Sequence, residues 1–180
     1  MDYERDYDTF WKSGEAACVG FSVYTNQYTK GNNGLMVVTG VADHICYKCS
    51  SNEEYEYIRR LFEEQGSQLY QSEISGRRIA LIELPQGYMT PWGPLNYLEL
   101  ADQKSDGSQK SGWDHIEIRI WYYDRIVKGL IDAGVKVVEK PRPHHTTHEI
   151  ILPNKFRFVF TNELLVDKIR YKEMDPLRSK

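Results

Sequence analysis

Asp43-His44-Ile45-Cys46-Tyr47-Lys48 and Asp114-His115-Ile116-Glu117-Ile118-Arg119 are two copies of one pattern, D-H-I-x-x-(K/R), with their histidines 71 residues apart. Self-similarity at a fixed spacing marks a duplicated structural unit, and here the same local signals follow each copy. After the first, Ser51-Asn52-Glu53-Glu54 supplies an N-cap with acids in the first turn. Tyr57, Ile58, Leu61 and Phe62 then recur at helical spacing, and Gln65-Gly66 stops the helix. After the second, Asp124 is the expected cap of a helix that carries Ile126, Val127, Leu130 and Ile131 on one face and ends at Ala133-Gly134. Strand-like runs complete the units, at 69–74, 78–84 and 95–100 in the first and at 135–140, 149–152, 156–161 and 164–171 in the second. The predicted class is α+β, with two tandem βαβββ modules, 39–104 and 112–174, forming one domain over 39–174.

Between the modules, residues 101–112 are rich in Lys, Ser, Asp, Gln and Gly and read as a flexible linker. Residues 1–38 lie outside the repeat. There Phe10, Ala17, Cys18, Phe21 and Tyr24 fall on one stripe of a helix that breaks at Gly31-Asn32-Asn33-Gly34, a predicted N-terminal helical extension. With 180 residues, 41% of them hydrophobic, the chain can bury a core. Its 23 Lys+Arg against 26 Asp+Glu leave a net charge of −3, which argues against nucleic acid or an anionic membrane as partner. No apolar run approaches the roughly 20 residues of a spanning helix. The opening MDYERDYD lacks the basic start and apolar run of a secretory signal. Cys18, Cys46 and Cys49 are too few for a disulfide scaffold. A cytoplasmic protein with a small-molecule substrate or ligand is expected, and a homodimer is compatible with the pattern.

Alternate residues of a strand share a face, so His115, Glu117 and Arg119 project opposite to Ile116, Ile118 and Ile120. In the first copy His44, Cys46 and Lys48 share a face. If the modules pack as pseudo-symmetric halves, the two histidines occupy equivalent positions and converge. In Tyr97-Leu98-Glu99-Leu100, Glu99 interrupts an apolar strand. A buried carboxylate is costly unless paired or metal-bound. His44, His115 and Glu99 therefore make a 2-His-1-carboxylate set for one divalent metal ion, with Zn, Mn, Fe and Ni all candidates. The spacing leaves the fourth position open. Counting from the helix stop reaches Asp167, counting from the histidine reaches Arg170, and Asp167, Glu173 or water are the candidates.

Glu117 and Glu149 are candidate bases, Arg119, Arg170 and Lys48 candidate contacts for an anionic group, and His148 a substrate contact or proton carrier. His144 and His145 follow Pro-Arg-Pro without cysteine partners and read as a loop over the groove rim. Cys46 and Cys49 stand three apart on a strand, facing opposite ways, and do not share a metal. Tyr88, Met89 and Trp92 either line a ligand pocket or pack a long inter-strand loop.

The chain resembles the vicinal oxygen chelate superfamily, which includes lactoylglutathione lyase, methylmalonyl-CoA epimerase, extradiol dioxygenases and bleomycin-resistance proteins, and within it the YecM-like proteins. The likeness rests on Ala42-Asp43-His44-Ile45 with Cys49 closing the strand, on Gly112-Trp113-Asp114-His115-Ile116-Glu117-Ile118 and on Leu152-Pro153-Asn154. It implies a U-shaped half-barrel around one divalent metal, with histidines on the first strand of each module and a carboxylate ending the first. Here these are His44, His115 and Glu99. It also implies a metal-dependent isomerase or lyase, or an oxygenase, acting on a small oxygen-bearing substrate. The last strand departs from the family pattern, since the usual carboxylate there has no plain counterpart. The alternative is a non-catalytic binding or sequestration protein with a metal-free groove.

Overall fold

In the computed structural model, which describes residues 6–31, 36–74, 76–141 and 146–167, the chain order begins with α1 (Tyr7–Lys30). Module one follows as β1 (Gly40–Lys48), α2 (Asn52–Glu63), β2 (Leu69–Ile74), β3 (Arg77–Thr90) and β4 (Gly93–Ala101). Module two is β5 (Gly112–Ile120), α3 (Tyr123–Asp132), β6 (Val138–Pro141), β7 (Thr146–Ile151) and β8 (Arg157–Thr161). All eight strands form one sheet in the order β2-β3-β4-β1-β5-β8-β7-β6. Each module pairs its first strand in parallel with its last, and the modules join where β1 runs antiparallel to β5. The sheet is open, with β2 and β6 as its edges. This is the paired βαβββ architecture that the repeat predicts.

The local chemistry explains the helix limits. Ser51 Oγ accepts from the Glu54 N–H and Glu54 Oε2 accepts from the Ser50 N–H, so two donors at the start of α2 are satisfied reciprocally. At α3 the expected cap is corrected. Tyr122 holds that position in the left-handed region (φ 54°) without a side-chain cap, and Asp124 sits in the first turn, where it favours the positive end of the helix.

Strand alternation gives the sheet one helix-covered face. Ile45, Tyr47, Ala80, Ile82, Leu98, Leu100, Ile116, Ile118, Phe158 and Phe160 form its core with the helices. The N-terminal helix is part of that core and spans both modules. Phe10 packs on Tyr47, Phe62 and Trp113, whereas Phe21 packs on Trp92, Phe156 and Phe158. Phe10, Cys18 and Phe21 are buried as the stripe predicts, but Tyr24 is 37% exposed and Tyr28 is buried in its stead. Tyr88 and Trp92 pack as well. Tyr88 donates to the Trp11 carbonyl and Trp92 Nε1 to that of Val38, in a β3–β4 hairpin longer than the sequence suggests.

Two expectations fail here. Residues 101–112 are tethered instead of free: buried Gln109 donates through Nε2 to the carbonyls of Cys49 (2.7 Å) and Asp102 (2.9 Å) and accepts from Arg77 Nη1. The strand expected over 164–171 does not form in its described part, 164–167, and residues 168–171 lie outside the described residues. The chain leaves β8 at Thr161 and enters a helical turn at 165–167. Leu165 and Val166 pack on Leu81, Tyr70 and Tyr97, over the open face of module one. There the Leu165 N–H donates to Asp43 Oδ2 (2.9 Å).

Candidate metal centre

The same alternation that sends Ile45, Leu98 and Ile116 into the core brings His44, Glu99 and His115 together on the open face. Their candidate ligand atoms lie within 4.8 Å of one another. His44 Nε2 is 3.5 Å from Glu99 Oε2, and the two imidazoles stand 5.6 Å apart, centroid to centroid, at 76°. The His44 side chain is only 2% exposed; its Nδ1 lies 3.2 Å from Asp43 Oδ2, and its Nε2 has no hydrogen-bond partner. Buried polar atoms are almost always satisfied. His44 Nε2 is orphaned in a pocket that also holds the carboxylates of Asp43, Glu99 and Glu117. Two imidazoles and a carboxylate, with surplus negative charge beside them, are the donor set of a borderline divalent cation, so the residues present fit such a group.

The electrostatics split the histidines. Burial disfavours charge on His44, but Asp43, Glu117 and Glu99 outweigh it and push its pKa up to about 9. Burial and then the neighbouring His44 take His115 down to about 4, in spite of Glu99. Burial alone would raise Glu99, but His44 and His115 hold it below the usual carboxylate range. Glu117 is raised, chiefly by burial.

Sheet register corrects the search for a fourth ligand. Cys46 lies beside Glu99 in module one, and its counterpart Glu117 lies beside Val159 in module two. Val159, 4% exposed, thus stands where symmetry demands a carboxylate. Glu99 falls 33 residues after Gly66 but Val159 only 25 after Gly134, so counting in module two overshoots. Asp167 is exposed in the turn beyond β8, and Arg170 and Glu173 lie outside the described residues.

The counterpart of Tyr97 is Arg157, a residue that sequence reasoning passed over. Its Nη1 donates to Glu149 Oε2 (3.0 Å), while Nη2 pairs with Asp114 Oδ2 and stands 3.2 Å from His115 Nδ1. Lys48 Nζ reaches Asp114 Oδ1 (2.7 Å) and Lys140 Nζ reaches Glu149 Oε1 (3.6 Å). The signal for Arg157 was a cation interrupting Phe156-Arg157-Phe158-Val159-Phe160, the same kind of interruption that exposes Glu99.

Of the other candidates, Glu117 joins the cluster, with Asp43 and His44. Glu149 is buried on the open face but engaged by Arg157 and Lys140. Arg119 follows His115 and Glu117 on the same face of β5, beside Thr161. His148 points the other way, with Nδ1 2.7 Å from the Tyr123 hydroxyl of α3. On β7 it is Glu149 that pairs with Val159 on the open side, and its neighbour must face the helices. His144 and His145 lie outside the described residues. Among the described residues no helix is long and apolar enough to cross a membrane.

Residues 21–153 match the sequence model of the family described as YecM protein. The Protein YecM of Escherichia coli (strain K12) is 34% identical over 85 residues, which are 47% of this chain and 45% of that protein, so the match spans less than half of the relative's length. Among solved structures, Structural Genomics, Protein EC4020 superposes with a TM-score of 0.67 at 22% identity, covering 96% of this chain and 97% of that one. The hydroxyglutarate synthase of Oryza sativa, in complex with 2-oxoadipate, superposes with a TM-score of 0.55 at 9% identity, covering 97% and 85%. At these identities the two structures establish the shared fold.

Proposed function

The chain belongs to the YecM family, and on that premise we propose that it is a divalent-metal-dependent enzyme of isomerase, lyase or oxygenase type, acting on a small oxygen-bearing substrate in the cytoplasm. His44, His115 and Glu99 hold the metal. The observation that carries this reading is the orphaned Nε2 of His44, buried among three carboxylates. When bound, a divalent cation supplies Lewis acidity that polarises a substrate oxygen and stabilises negative charge developing there. Glu117, whose carboxyl is lifted by burial, is the group to accept and return a proton through its Oε atoms. Arg119 meets an anionic group of the substrate, a role that Arg170 shares by its place in the sequence. Glu149 holds Arg157 in place, which suits it to support the site more than to serve as the base.

Val159 favours a second reading, a metal-free groove that binds a small molecule without turnover, because one of four expected ligand positions is apolar. Elemental analysis of protein purified without chelator or histidine tag separates the two. About one equivalent of a divalent metal in the wild type, and none in a His44→Ala, His115→Ala double variant, is expected for a built site. Negligible metal in both after incubation with Zn, Mn, Fe and Ni salts overturns the first reading. A melting temperature raised by a small molecule in that metal-free protein then supports the second.

A further inference from the structure

The ladder between β1 and β5 is interrupted twice, and both interruptions fall on the residue before a histidine. Pairing passes from Ala42↔Ile118 to His44↔Glu117, leaving Asp43 as an extra residue on β1. It passes again from Cys46↔His115 to Tyr47↔Trp113, leaving Asp114 as an extra residue on β5. An extra residue of this kind bends its strand and re-aims a side chain. In a regular strand an aspartate next to a histidine projects to the opposite face. Here each carboxylate instead turns to the Nδ1 of the following histidine, with Asp43 Oδ2 3.2 Å from His44 Nδ1 and Asp114 Oδ2 2.8 Å from His115 Nδ1.

We infer that the duplicated Asp-His pair is one device used twice, a bulge in which Asp43 and Asp114 act as positioning residues that hold the Nδ1–H of His44 and His115, so that both rings offer Nε2 to a shared metal. The inference rests on the metal reading above and adds how the ligands are aimed. A carboxylate behind a metal-bound imidazole fixes its tautomer and orientation and raises its basicity. Each aspartate is itself anchored, Asp43 by the Leu165 N–H and Asp114 by Lys48 and Arg157. Arg157 makes the assignment consequential. Its Nη2 lies 3.2 Å from His115 Nδ1, and guanidinium is only a donor, so a bond from it to Nδ1 would leave the proton on Nε2 and close that atom to a metal.

Side-chain nitrogen NMR on the zinc-loaded and metal-free wild-type protein reads the tautomers directly, and zinc affinity is measured beside it for Asp43→Asn, Asp114→Asn and Asp114→Ala. Nδ1–H on both histidines with zinc bound is expected, and on His115 without zinc as well. Zinc affinity should fall roughly 10- to 100-fold in each variant, less for Asp114→Asn, which keeps an acceptor, than for Asp114→Ala. A merely structural aspartate would lower the melting temperature while leaving tautomer and affinity unchanged. If the wild type binds zinc through Nδ1, or if both Asp→Asn variants bind as tightly as wild type, the inference falls and the metal reading stands. A wild type that takes up none of Zn, Mn, Fe and Ni overturns both.

Discussion

The two modules share their backbone plan and differ in the strand that completes it. In module one β4 brings Glu99 to the open face beside Tyr97, and Leu165 and Val166 pack there on Leu81, Tyr70 and Tyr97. In module two β8 brings Val159 and Arg157 to the same two positions, and its face carries a charged network of Arg157, Glu149, Asp114 and Lys140, which Lys48 of β1 joins through Asp114. The duplicated histidines and their aspartates are kept, whereas the last strands have parted. One cation needs only one set of ligands, so a duplicated scaffold can retain both imidazoles and turn one of its two carboxylate positions to packing. The histidines have parted too, since identical side chains at equivalent positions are driven in opposite directions by unequal surroundings.

Removing the cation that organises module two should have the largest effect. Arg157→Ala leaves Glu149, 3% exposed at its side chain, with Lys140 alone, and should cost about 3 kcal/mol in urea denaturation. A loss under about 0.5 kcal/mol would reduce the network to ordinary surface charge. On the module-one side, Leu165→Ala strips the apolar cover and should cost roughly 2 kcal/mol in the same measurement. Its zinc uptake should be unchanged, because the bond to Asp43 comes from the backbone N–H.

Val159→Glu restores the symmetry and should tighten zinc binding on the order of tenfold, about 1.4 kcal/mol, by calorimetric titration. Without metal the same variant should melt lower, since its new carboxylate lies beside Glu117 and Glu149. Equal zinc affinity would show that the fourth position is not aimed at the metal.

The finest test uses slopes of stability against pH in chelated protein. His44, raised to about 9, contributes stability that is full below its unfolded value near 6.5 and is lost as pH rises through 9. His115, lowered to about 4, contributes stability that is full above 6.5 and is lost as pH falls through 4. His44→Gln should flatten the alkaline slope and His115→Gln the acid one. Matching effects in one window would erase the contrast between the two histidines.

Much of this was legible in the chain. Alternation in Ile45, Leu98 and Ile116 fixes which face His44, Glu99 and His115 occupy, and the Ser51 cap with Gly66 brackets α2 closely. What escaped depends on partners. Residues 164–167 have strand-like composition, and only the pairing of β8 with β5 shows that, among the described residues, β8 is the strand that closes module two. Val159 acquires meaning only through register, which loops of unequal length hide from any count along the chain. The bulges at Asp43 and Asp114 are relations between two strands and leave no mark in either alone. His148 and Glu149 are adjacent, and choosing between them required knowing which one pairs across to Val159.

The long helix at the N-terminus has a consequence for the order in which the protein can be completed. Phe10 and Phe21 emerge from the ribosome before the sheet does, yet Phe21 completes its packing only when Phe156 and Phe158 arrive, more than a hundred residues later. Module one can pair its own strands while the rest is being made, but its apolar helix must wait, half-docked on Tyr47 and Phe62, for the last strand to arrive. Contacts so distant along the chain are slow to form and leave apolar surface uncovered in the interval. The nascent chain is therefore most prone to aggregation after β4 is made and before β8 is released.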